Sequence, residues 1–363
     1  MDLELFIEML GIPSTSGEEL RLAQFLKERL VLRQAQGQGT AGEAVIEQEV
    51  GDGTVNLLFD WSGTGSPSFV FCTHMDTVPP YISPSIELVK EGDILPDGTR
   101  AKGEDTLIKG RGSCDAKGQL FSMYNACLKL RKEGYHDFGL LLLSGEETGS
   151  QGAKAYSNDR PGGDFVLVGE PTDNCLATAA KGTKAFEVTI PGKSCHSGYP
   201  EYGSSAVDRF VEVMEKLREE GFPDDPVLGK TTWNVGDLHS TNPQNILSPE
   251  IGFRIYFRTT FASDETVQQR LLEACPAGTV IHALGGDTPR IYFSEVEGIP
   301  SKPVSFGSDA PRLEKFVQRA ICGPGSILTA HTKDEYVLVS DLQKAVEQYV
   351  RIFKTVTKEQ NSI

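Results

Sequence analysis

The fold is decided by Leu140-Leu141-Leu142-Leu143-Ser144-Gly145-Glu146-Glu147-Thr148-Gly149. Its apolar run has the length of a buried strand. Two adjacent carboxylates follow on a glycine-flanked turn, and small residues then start a helix. This order is typical of open α/β sheets, in which the carboxyl ends of the strands carry the chemistry. Neighbouring carboxylates on a turn also fit a solvated loop or a helix N-terminus, so the other strand ends must decide between these interpretations.

Length and composition restrict the possible classes of protein. A chain of 363 residues is expected to form two domains. The formal net charge of −16 argues against a nucleic-acid or membrane partner, because phosphate groups are bound by clustered Lys and Arg. The start of the chain, Met1-Asp2-Leu3-Glu4, lacks the pattern of a signal peptide. The 7 cysteines include no C-x-x-C pair, so we expect reduced thiols and a cytoplasmic location.

Strands and helices alternate along most of the chain. An insertion that begins near residue 179 has β-α-β-β-α-β order, which is the order of a ferredoxin-like α+β domain. We therefore predict a three-layer αβα catalytic domain over residues 1–178 and 288–363, and an inserted domain over 179–287. In the main domain we predict helices over 3–10, from capping residues 14–19 to residue 30, over 118–130 and over 333–353. We predict strands over 44–50, 55–59, 68–73, 140–143, 165–168, 303–306 and 326–330. Residues 79–109 are turn-rich and are predicted to form an elaborated loop with short hairpin-like pieces.

Metal-ligand residue types recur in separate segments, and most of them directly follow a predicted apolar strand. A shared sheet edge would bring these side chains together. Imidazole and carboxylate groups suit zinc, and five ligands exceed what one tetrahedral ion needs. Two ions that share a bridging carboxylate fit this number, and such pairs activate a water and polarise a carbonyl. Each residue alone has an ordinary structural explanation, but the coincidence favours a metal site formed by His74, Asp115, Glu147, Glu170 and His331.

Two carboxylates beside these ligands have predicted roles. Glu146 is adjacent to a ligand but is itself free, which makes it the natural general base for the water. Asp76 lies two residues after His74 and is placed to orient the imidazole. The glycines of residues 110–118 also suggest a dinucleotide-binding loop. We disfavour this interpretation, because the segment lacks the leading strand and the third glycine that the motif requires.

Five motifs around these residues occur in one order over nearly the whole chain. They are Thr73-His74-Met75-Asp76-Thr77-Val78-Pro79, Gly110-Arg111-Gly112 with Asp115-Ala116-Lys117-Gly118, Gly145-Glu146-Glu147-Thr148-Gly149, Gly169-Glu170-Pro171-Thr172, and Ala330-His331 with Asp334-Glu335-Tyr336. Together they resemble the zinc-dependent M20 metallopeptidase family, which includes acetylornithine deacetylase, succinyl-diaminopimelate desuccinylase, aminoacylase and carboxypeptidase G.

The resemblance implies two Zn²⁺ ions bridged by Asp115, with Glu146 as the general base. Cobalt or manganese would fit the same ligands. It also implies a cis peptide bond after Asp115. The two ligand sets would be His74, Asp115 and Glu170 for one ion, and Asp115, Glu147 and His331 for the other.

The inserted domain resembles the family's lid and dimerisation domain. Its segment Gly192-Lys193-Ser194-Cys195-His196-Ser197-Gly198-Tyr199-Pro200 matches the lid-histidine motif. The resemblance implies a homodimer in which His196 stabilises the oxyanion in the partner subunit's active site; without the motif, His196 would be interpreted as a surface-loop residue. Asn245 and Arg258 lie where the family contacts substrate. Arg258 suits an α-carboxylate, and a solvated strand position is the alternative.

Three departures from the family concern the substrate. Desuccinylases carry a basic pair where this chain has Ala180-Lys181, which disfavours a succinyl group. The usual Gly-Thr-Ser-Asp turn is Phe306-Gly307-Ser308-Asp309 here. The segment that returns from the inserted domain is also short and is predicted to lack a helix. We therefore expect an altered pocket wall around an intact set of metal ligands.

The functional interpretation is a homodimeric two-zinc amidohydrolase. We expect it to cleave the N-acyl bond, most simply N-acetyl, of a small amino acid such as N-acetylornithine. A dipeptidase or carboxypeptidase of the same family, acting on a dipeptide, is the alternative. A non-catalytic assembly protein is disfavoured. Relatives that lose catalysis usually lose metal ligands or the general base, and this chain retains all of them.

Overall fold

The structure is a computed structural model that describes residues 1–35, 44–51 and 53–360. The chain forms two compact units. The first contains Met1–Thr178, Tyr292–Lys302 and Ser308–Ile363, and the second contains Ala179–Ile291 and Pro303–Gly307. Compared with the predicted insertion of 179–287, the second unit also includes residues 288–291 and 303–307. These added residues pair with its first segment, since Arg290 lies opposite Ala180 and Val304 O accepts the Lys181 N–H.

The secondary-structure elements follow in chain order. The helices are α1 (Leu3–Leu10), α2 (Leu20–Ala35), α3 (Lys117–Lys132), α4 (Gln151–Asp159), α5 (Ala206–Glu220), α6 (Val267–Ala274) and α7 (Val339–Gln360). The strands are β1 (Ala44–Gly51), β2 (Thr54–Asp60), β3 (Phe69–His74), β4 (Ser85–Val89), β5 (Asp105–Lys109), β6 (Phe138–Leu143), β7 (Phe165–Val168), β8 (Leu176–Ala180), β9 (Gly182–Pro191), β10 (Thr232–His239), β11 (Glu250–Thr259), β12 (Val280–Gly285), β13 (Arg290–Ile291), β14 (Ser301–Val304), β15 (Gln318–Ile321) and β16 (Tyr336–Leu338).

A six-stranded sheet of order β1-β2-β6-β3-β7-β15 forms the centre of the first unit. Strands β6, β3, β7 and β15 are parallel, and β2 and β1 continue the sheet in antiparallel pairs. Every residue of β6 is buried, as its continuous apolar run predicted. Strand β3 pairs with both β6 and β7, with Cys72 opposite Leu141 on one side and Val168 on the other. The carboxyl ends of these three strands are therefore neighbours.

Helices cover both faces of this sheet. Successive side chains of a strand point to opposite faces. Phe69 and Phe71 of β3 pack against Phe353 of α7, with ring centroids 5.1 and 6.5 Å apart. Val70 and Cys72 are buried on the opposite face, where Tyr156 of α4 is also buried. The predicted three-layer αβα class is confirmed.

The second unit has the predicted ferredoxin-like arrangement. Its four-stranded sheet has the order β10-β11-β9-β12, and every pair is antiparallel. Alternating residues of β9 and β11 face one way, and they bury Phe186 and Phe253 against the apolar faces of α5 and α6. This cluster includes Val213 of α5 and Leu271 of α6. The alternation of the strands and the helical spacing of α5 and α6 were both readable in the sequence.

Part of the predicted return to the main sheet is wrong. Residues 326–330 form a turn rather than a strand, because Gly325 adopts a φ of +76° and the Thr329 N–H bonds back to Ser326 O. Leu328 is 78% exposed, so the apolar letters of this segment do not mark a core strand. The last strand of the sheet is instead β15, and residues 301–304 join a small sheet with β8. The closing helix begins at Val339, after β16.

The predicted hairpin-like pieces of residues 79–109 include strands β4 and β5, which pair in antiparallel fashion. Strands β4 and β5 pair with β16 in a three-stranded sheet. Leu95, Leu107 and Tyr336 are among the residues of a small separate hydrophobic cluster here. In the part of the chain that the structure describes, no helix is both long and apolar enough to cross a bilayer.

Helix α4 contacts the turn after β6 through Gly152. The Gly152 N–H donates to Ser144 O at 2.8 Å, and Asn56 bonds both Gly152 O and the Ser144 N–H. A Cβ on Gly152 would lie 2.5 Å from Asn56 Oδ1 and 2.6 Å from Ser144 O. Only glycine allows the helix to approach the turn this closely.

We predict that Gly152→Ala lowers the free energy of unfolding of the first unit by about 1–3 kcal/mol, because the added methyl group forces α4 away from Ser144. Helix propensity alone would raise the free energy of unfolding of the alanine variant by about 1 kcal/mol. The sign of the change, measured by urea unfolding, therefore distinguishes this effect from the steric clash. Gly103→Ala is the matched control, since nothing lies within 4 Å of its added Cβ. An unchanged or increased stability of Gly152→Ala would show that the close approach is unimportant.

Candidate metal centre

Three strand ends supply part of the candidate site. His74 is the last residue of β3, Glu146 and Glu147 lie on the turn after β6, and Glu170 follows β7. The parallel register of these strands places their ends at one edge of the sheet. The side chains of His74 and Glu170 are buried there.

The remaining predicted ligands come from loops. Asp115 lies just before α3, and the Asp115–Ala116 peptide bond is cis, as the resemblance implied. His331 was expected directly after a strand, and this expectation is wrong. It lies in the turn that replaces that strand, with a φ of +63°, and its side chain is half exposed. The turn conformation, which a strand pattern cannot predict, turns the imidazole towards Asp115 and Glu147.

Asp115 lies between the two imidazoles. Its Oδ1 is 3.1 Å from His74 Nε2, and its Oδ2 is 3.3 Å from His331 Nε2. His331 Nε2 is also 2.8 Å from Glu147 Oε1. The ligand atoms of His74, Asp115 and Glu170 lie within 4.8 Å of one another, and so do those of Asp115, Glu147 and His331. The structure therefore brings all five predicted ligands together as two groups that share one carboxylate.

Glu146 lies close to the same atoms. His74, Glu146 and Glu147 form a third group whose ligand atoms are all within 4.8 Å. Burial is the main cause that raises the pKa of Glu146 well above its usual range, and Asp309 and Glu147 add to this effect. By distance alone, Glu146 is placed either to bind a metal ion or to exchange a proton with a group bound beside it.

The charges of the site fit a divalent cation. Burial, followed by repulsion from Glu146, raises the pKa of Glu170 well above its usual range. Its Oε1 is buried and has no hydrogen-bond partner among the described residues. Asp115 and Glu147 raise the pKa of His331 to about 10, which shows that the surrounding carboxylates stabilise positive charge. Clustered acids with an unpaired oxygen are costly to bury unless a cation compensates them.

Asp76 has a larger role than orienting one imidazole. His74 Nδ1 lies 3.0 Å from Asp76 O and 3.3 Å from Asp76 Oδ1. The same carboxylate accepts the N–H groups of Glu146 and Glu147, each at 3.1 Å, and the hydroxyl of Ser16 at 2.7 Å. Asp76 is fully buried. It therefore links the β3 ligand to the turn that carries the two glutamates.

Two buried carboxylates near the ligands, Glu335 and Asp309, were not predicted to have a role. Glu335 accepts the backbone N–H groups of Cys114 and Asp115, at 3.1 and 3.0 Å, and pairs with Arg111 at 2.6 Å. Asp309 is buried, and its burial raises its pKa to about 7. Glu335 is separated from Asp115 by 220 residues. Its place in a family motif was therefore the only signal in the sequence.

The other predicted site residues lie in the second unit. His196 is exposed, and its Nδ1 accepts the Gly198 N–H at 3.1 Å. Asn245 is exposed on the neighbouring segment, where its O accepts the Ser197 N–H at 2.9 Å. Arg258 is half-buried on β11, with its guanidinium carbon 5.0 Å from the centre of the Tyr256 ring. The structure brings the segments of His196 and Asn245 together, although they are distant in the sequence.

A second positively charged side chain, that of Lys181, lies near Arg258. Lys181 is buried, and burial together with the positive charge of Arg258 lowers its pKa. Gly307 lies beside Arg258, since a Cβ at that glycine would be 3.9 Å from Arg258 Nη1. A positively charged position next to a backbone turn is suited to a carboxylate.

Comparisons with known proteins agree with this geometry. Residues 70–355 match the model of peptidase family M20/M25/M40. A protein of Uncinocarpus reesii named "Probable carboxypeptidase" is 31% identical over 325 residues, which cover 81% of this chain and 72% of that protein.

Two solved structures share the fold. A tripeptidase of Staphylococcus aureus has a TM-score of 0.74 at 21% identity and 98% coverage of both chains. Aminopeptidase PepT of Bacillus cereus has a TM-score of 0.72 at 20% identity and 96% coverage of both. The family depends on metal ions, and the chain has residue groups of the type that holds them. The chain therefore belongs to peptidase family M20/M25/M40 and is a hydrolase of linear amide or peptide bonds.

Proposed function

We propose that this chain is a metal-dependent exopeptidase that removes the C-terminal residue from short peptides. The observation that carries the proposal is the pair of ligand groups that share Asp115, with Glu146 beside them. The similarity to a protein named as a carboxypeptidase favours this alternative over the deacetylation of N-acetylornithine. Chemistry at the amide bond is the same in both cases, so the choice depends on what lies beyond that bond.

The metal set that we propose is two Zn²⁺ ions. One would be held by His74, Asp115 and Glu170, and the other by Asp115, Glu147 and His331. Bound zinc would supply a Lewis acid that polarises the scissile carbonyl and lowers the pKa of water. The unpaired Oε1 of Glu170 supports this assignment, because a buried carboxylate oxygen without a hydrogen-bond donor is available to bind a cation.

Glu146 is the proposed general base. Its carboxylate would accept a proton from the attacking water and then donate it to the nitrogen of the leaving amine. The raised pKa of Glu146 supports the first step, because a carboxylate whose pKa is raised is a better proton acceptor. Asp76 would hold the turn that carries Glu146 in a fixed position.

The second unit supplies the proposed substrate contacts. Arg258, with Lys181 nearby, would bind the C-terminal carboxylate, and Asn245 would contact the peptide. His196 would stabilise the oxyanion. Because its Nδ1 accepts the Gly198 N–H, the neutral ring carries its proton on Nε2, which leaves Nε2–H free to donate. We propose that the chain is a homodimer and that His196 acts in the partner's site.

The bond that is cleaved tests the proposed activity. The zinc-loaded protein should release the C-terminal residue from a tripeptide and from its N-acetylated form, whereas C-terminal amidation should reduce the rate by about 100-fold, because the free carboxylate that Arg258 pairs with is lost. Chelation should abolish the release. The measurement is product identification by mass spectrometry across these peptides, with N-acetylornithine included.

Each other outcome identifies a different activity. If N-acetylation abolishes cleavage and C-terminal amidation does not, the protein is an aminopeptidase. Arg258 would then not bind the C-terminal carboxylate. Release of ornithine from N-acetylornithine alone would establish the deacetylase. Inactivity of the zinc-loaded protein towards every substrate would contradict the proposal.

Substitutions distinguish the roles of the two adjacent glutamates. Glu146→Gln should keep two zinc ions per chain but lower kcat by about 10²-fold or more, because the amide cannot accept a proton. Glu147→Gln is the matched control and should weaken zinc binding, because it changes a ligand. Zinc content and kcat are measured on both variants. Loss of zinc from Glu146→Gln would make Glu146 a ligand instead.

A substitution of the lid histidine tests its proposed role. His196→Ala should lower kcat by about 10²-fold with the zinc content unchanged, since the variant loses one oxyanion donor. His239→Ala, an exposed histidine of the same unit, is the control and should be neutral. Mixing His196→Ala with Glu146→Gln should restore about a quarter of the wild-type activity if two chains share each site. No restoration after subunit exchange would exclude action in the partner's site.

A further inference from the structure

Two carboxylates bind three consecutive N–H groups of the turn that carries the glutamates. Asp76 accepts those of Glu146 and Glu147. The Gly145 N–H, which begins the turn, donates to Glu19 Oε1 at 3.0 Å. Glu19 is completely buried. Of these two carboxylates, only Asp76 has a role in the function proposed above.

The side chain of Glu19 does not cap its own helix. The residue lies directly before α2, and its carbonyl accepts the Ala23 N–H at 2.9 Å, as an N-cap carbonyl does. The carboxylate interacts with the backbone of Gly17 and Glu19 and also reaches Gly145, which is 126 positions away in the chain. A capping role, which we predicted for residues 14–19, explains the carbonyl bond but not this contact.

The burial of the Glu19 carboxylate is energetically unfavourable. Burial is the main cause that raises the pKa of Glu19, and the charge of Asp76 adds to it. Its Oε2 is buried without a hydrogen-bond partner in the described parts of the chain. A buried and incompletely bonded carboxylate is destabilising. An apolar residue here would pack at lower cost but would leave the Gly145 N–H unbonded.

The same short segment contacts the site a second time. Ser16 Oγ donates to Asp76 Oδ2 at 2.7 Å, and Ser14 Oγ donates to Met75 O at 2.8 Å. The segment therefore positions the turn directly through Glu19 and indirectly through Asp76. Gly145 has a φ of +69°, a conformation that other residues rarely adopt. The Glu19 bond thus fixes the most adaptable residue of the turn.

We propose that Glu19 is a positioning residue for the reaction, because its bond to the Gly145 N–H holds the turn that places Glu146. The inference rests on the proposed role of Glu146 as general base. Glu19 touches neither the five ligands nor any proposed substrate contact. Its loss should therefore lower kcat and leave KM and the zinc content nearly unchanged, since a displacement of about 1 Å at a reacting group is costly.

The experiment compares two substitutions at Glu19 with one at its neighbour. Glu19→Met fills the space but removes the acceptor, Glu19→Gln keeps an acceptor oxygen, and Glu18→Met changes an exposed residue of the same loop. Hydrogen–deuterium exchange at Gly145 is measured on the full chain without metal. The values of kcat and KM and the zinc content are measured on the zinc-loaded protein. If Glu19→Met does not fold, Glu19→Ala removes the acceptor without added bulk.

In Glu19→Met we expect exchange at Gly145 to rise about tenfold or more, because the amide loses its acceptor. We also expect kcat to fall about tenfold with KM within about twofold. Glu19→Gln should restore both values to near wild type, and Glu18→Met should change neither.

Unchanged exchange at Gly145 in Glu19→Met would overturn the inference whatever the reaction is. Faster exchange with normal kcat would also overturn it, since the bond would then be structural only. Failure of the proposed function is distinguishable, because it appears as wild-type inactivity or as full activity of Glu146→Gln, whereas the exchange measurement requires no catalysis.

Discussion

The candidate site depends on the parallel register of β3 with β6 and β7. Because β3 pairs with both neighbours, three strands end at one edge of the sheet, and each end supplies an acid or an imidazole. Parallel strands need helices on both faces, and here both faces are covered. The continuous apolar run of β6 is buried in the first unit, and the turn at residues 145–147 follows this strand directly.

This arrangement places many acids in one buried volume. Asp115, Glu146 and Glu170 lie close together, and burial raises the pKa of both glutamates. Two further buried carboxylates, Asp76 and Glu335, contact the segments that carry the ligands. Backbone N–H groups and the Ser16 hydroxyl donate to Asp76, and Arg111 pairs with the carboxylate of Glu335. Such partners fix the ligands in place, so that binding a cation requires little rearrangement.

Much of the fold and of the candidate site was predictable because it depends on local patterns. The apolar run of β6, the alternation of β9 and β11, and the motif around His74 each lie within a few consecutive residues. The wrong predictions were those that depended on contacts. The apolar letters of 326–330 matched a strand, but Gly325 begins a turn there, and Leu328 is exposed. The main sheet is completed instead by β15, a short strand with no clear signal.

The sequence by itself determined the fold class, many of the helices and strands, and the types of metal-binding and proton-transfer groups, because periodicity and chemical type are properties of consecutive residues. Only the tertiary structure decided which groups meet. Glu19 lies in a segment that matches a helix cap, yet its carboxylate bonds to Gly145, and Glu335 holds the backbone of Asp115 from 220 residues away. Buried hydrogen bonds between distant segments leave no periodic pattern, since they form only when the packing of the core removes both partners from water.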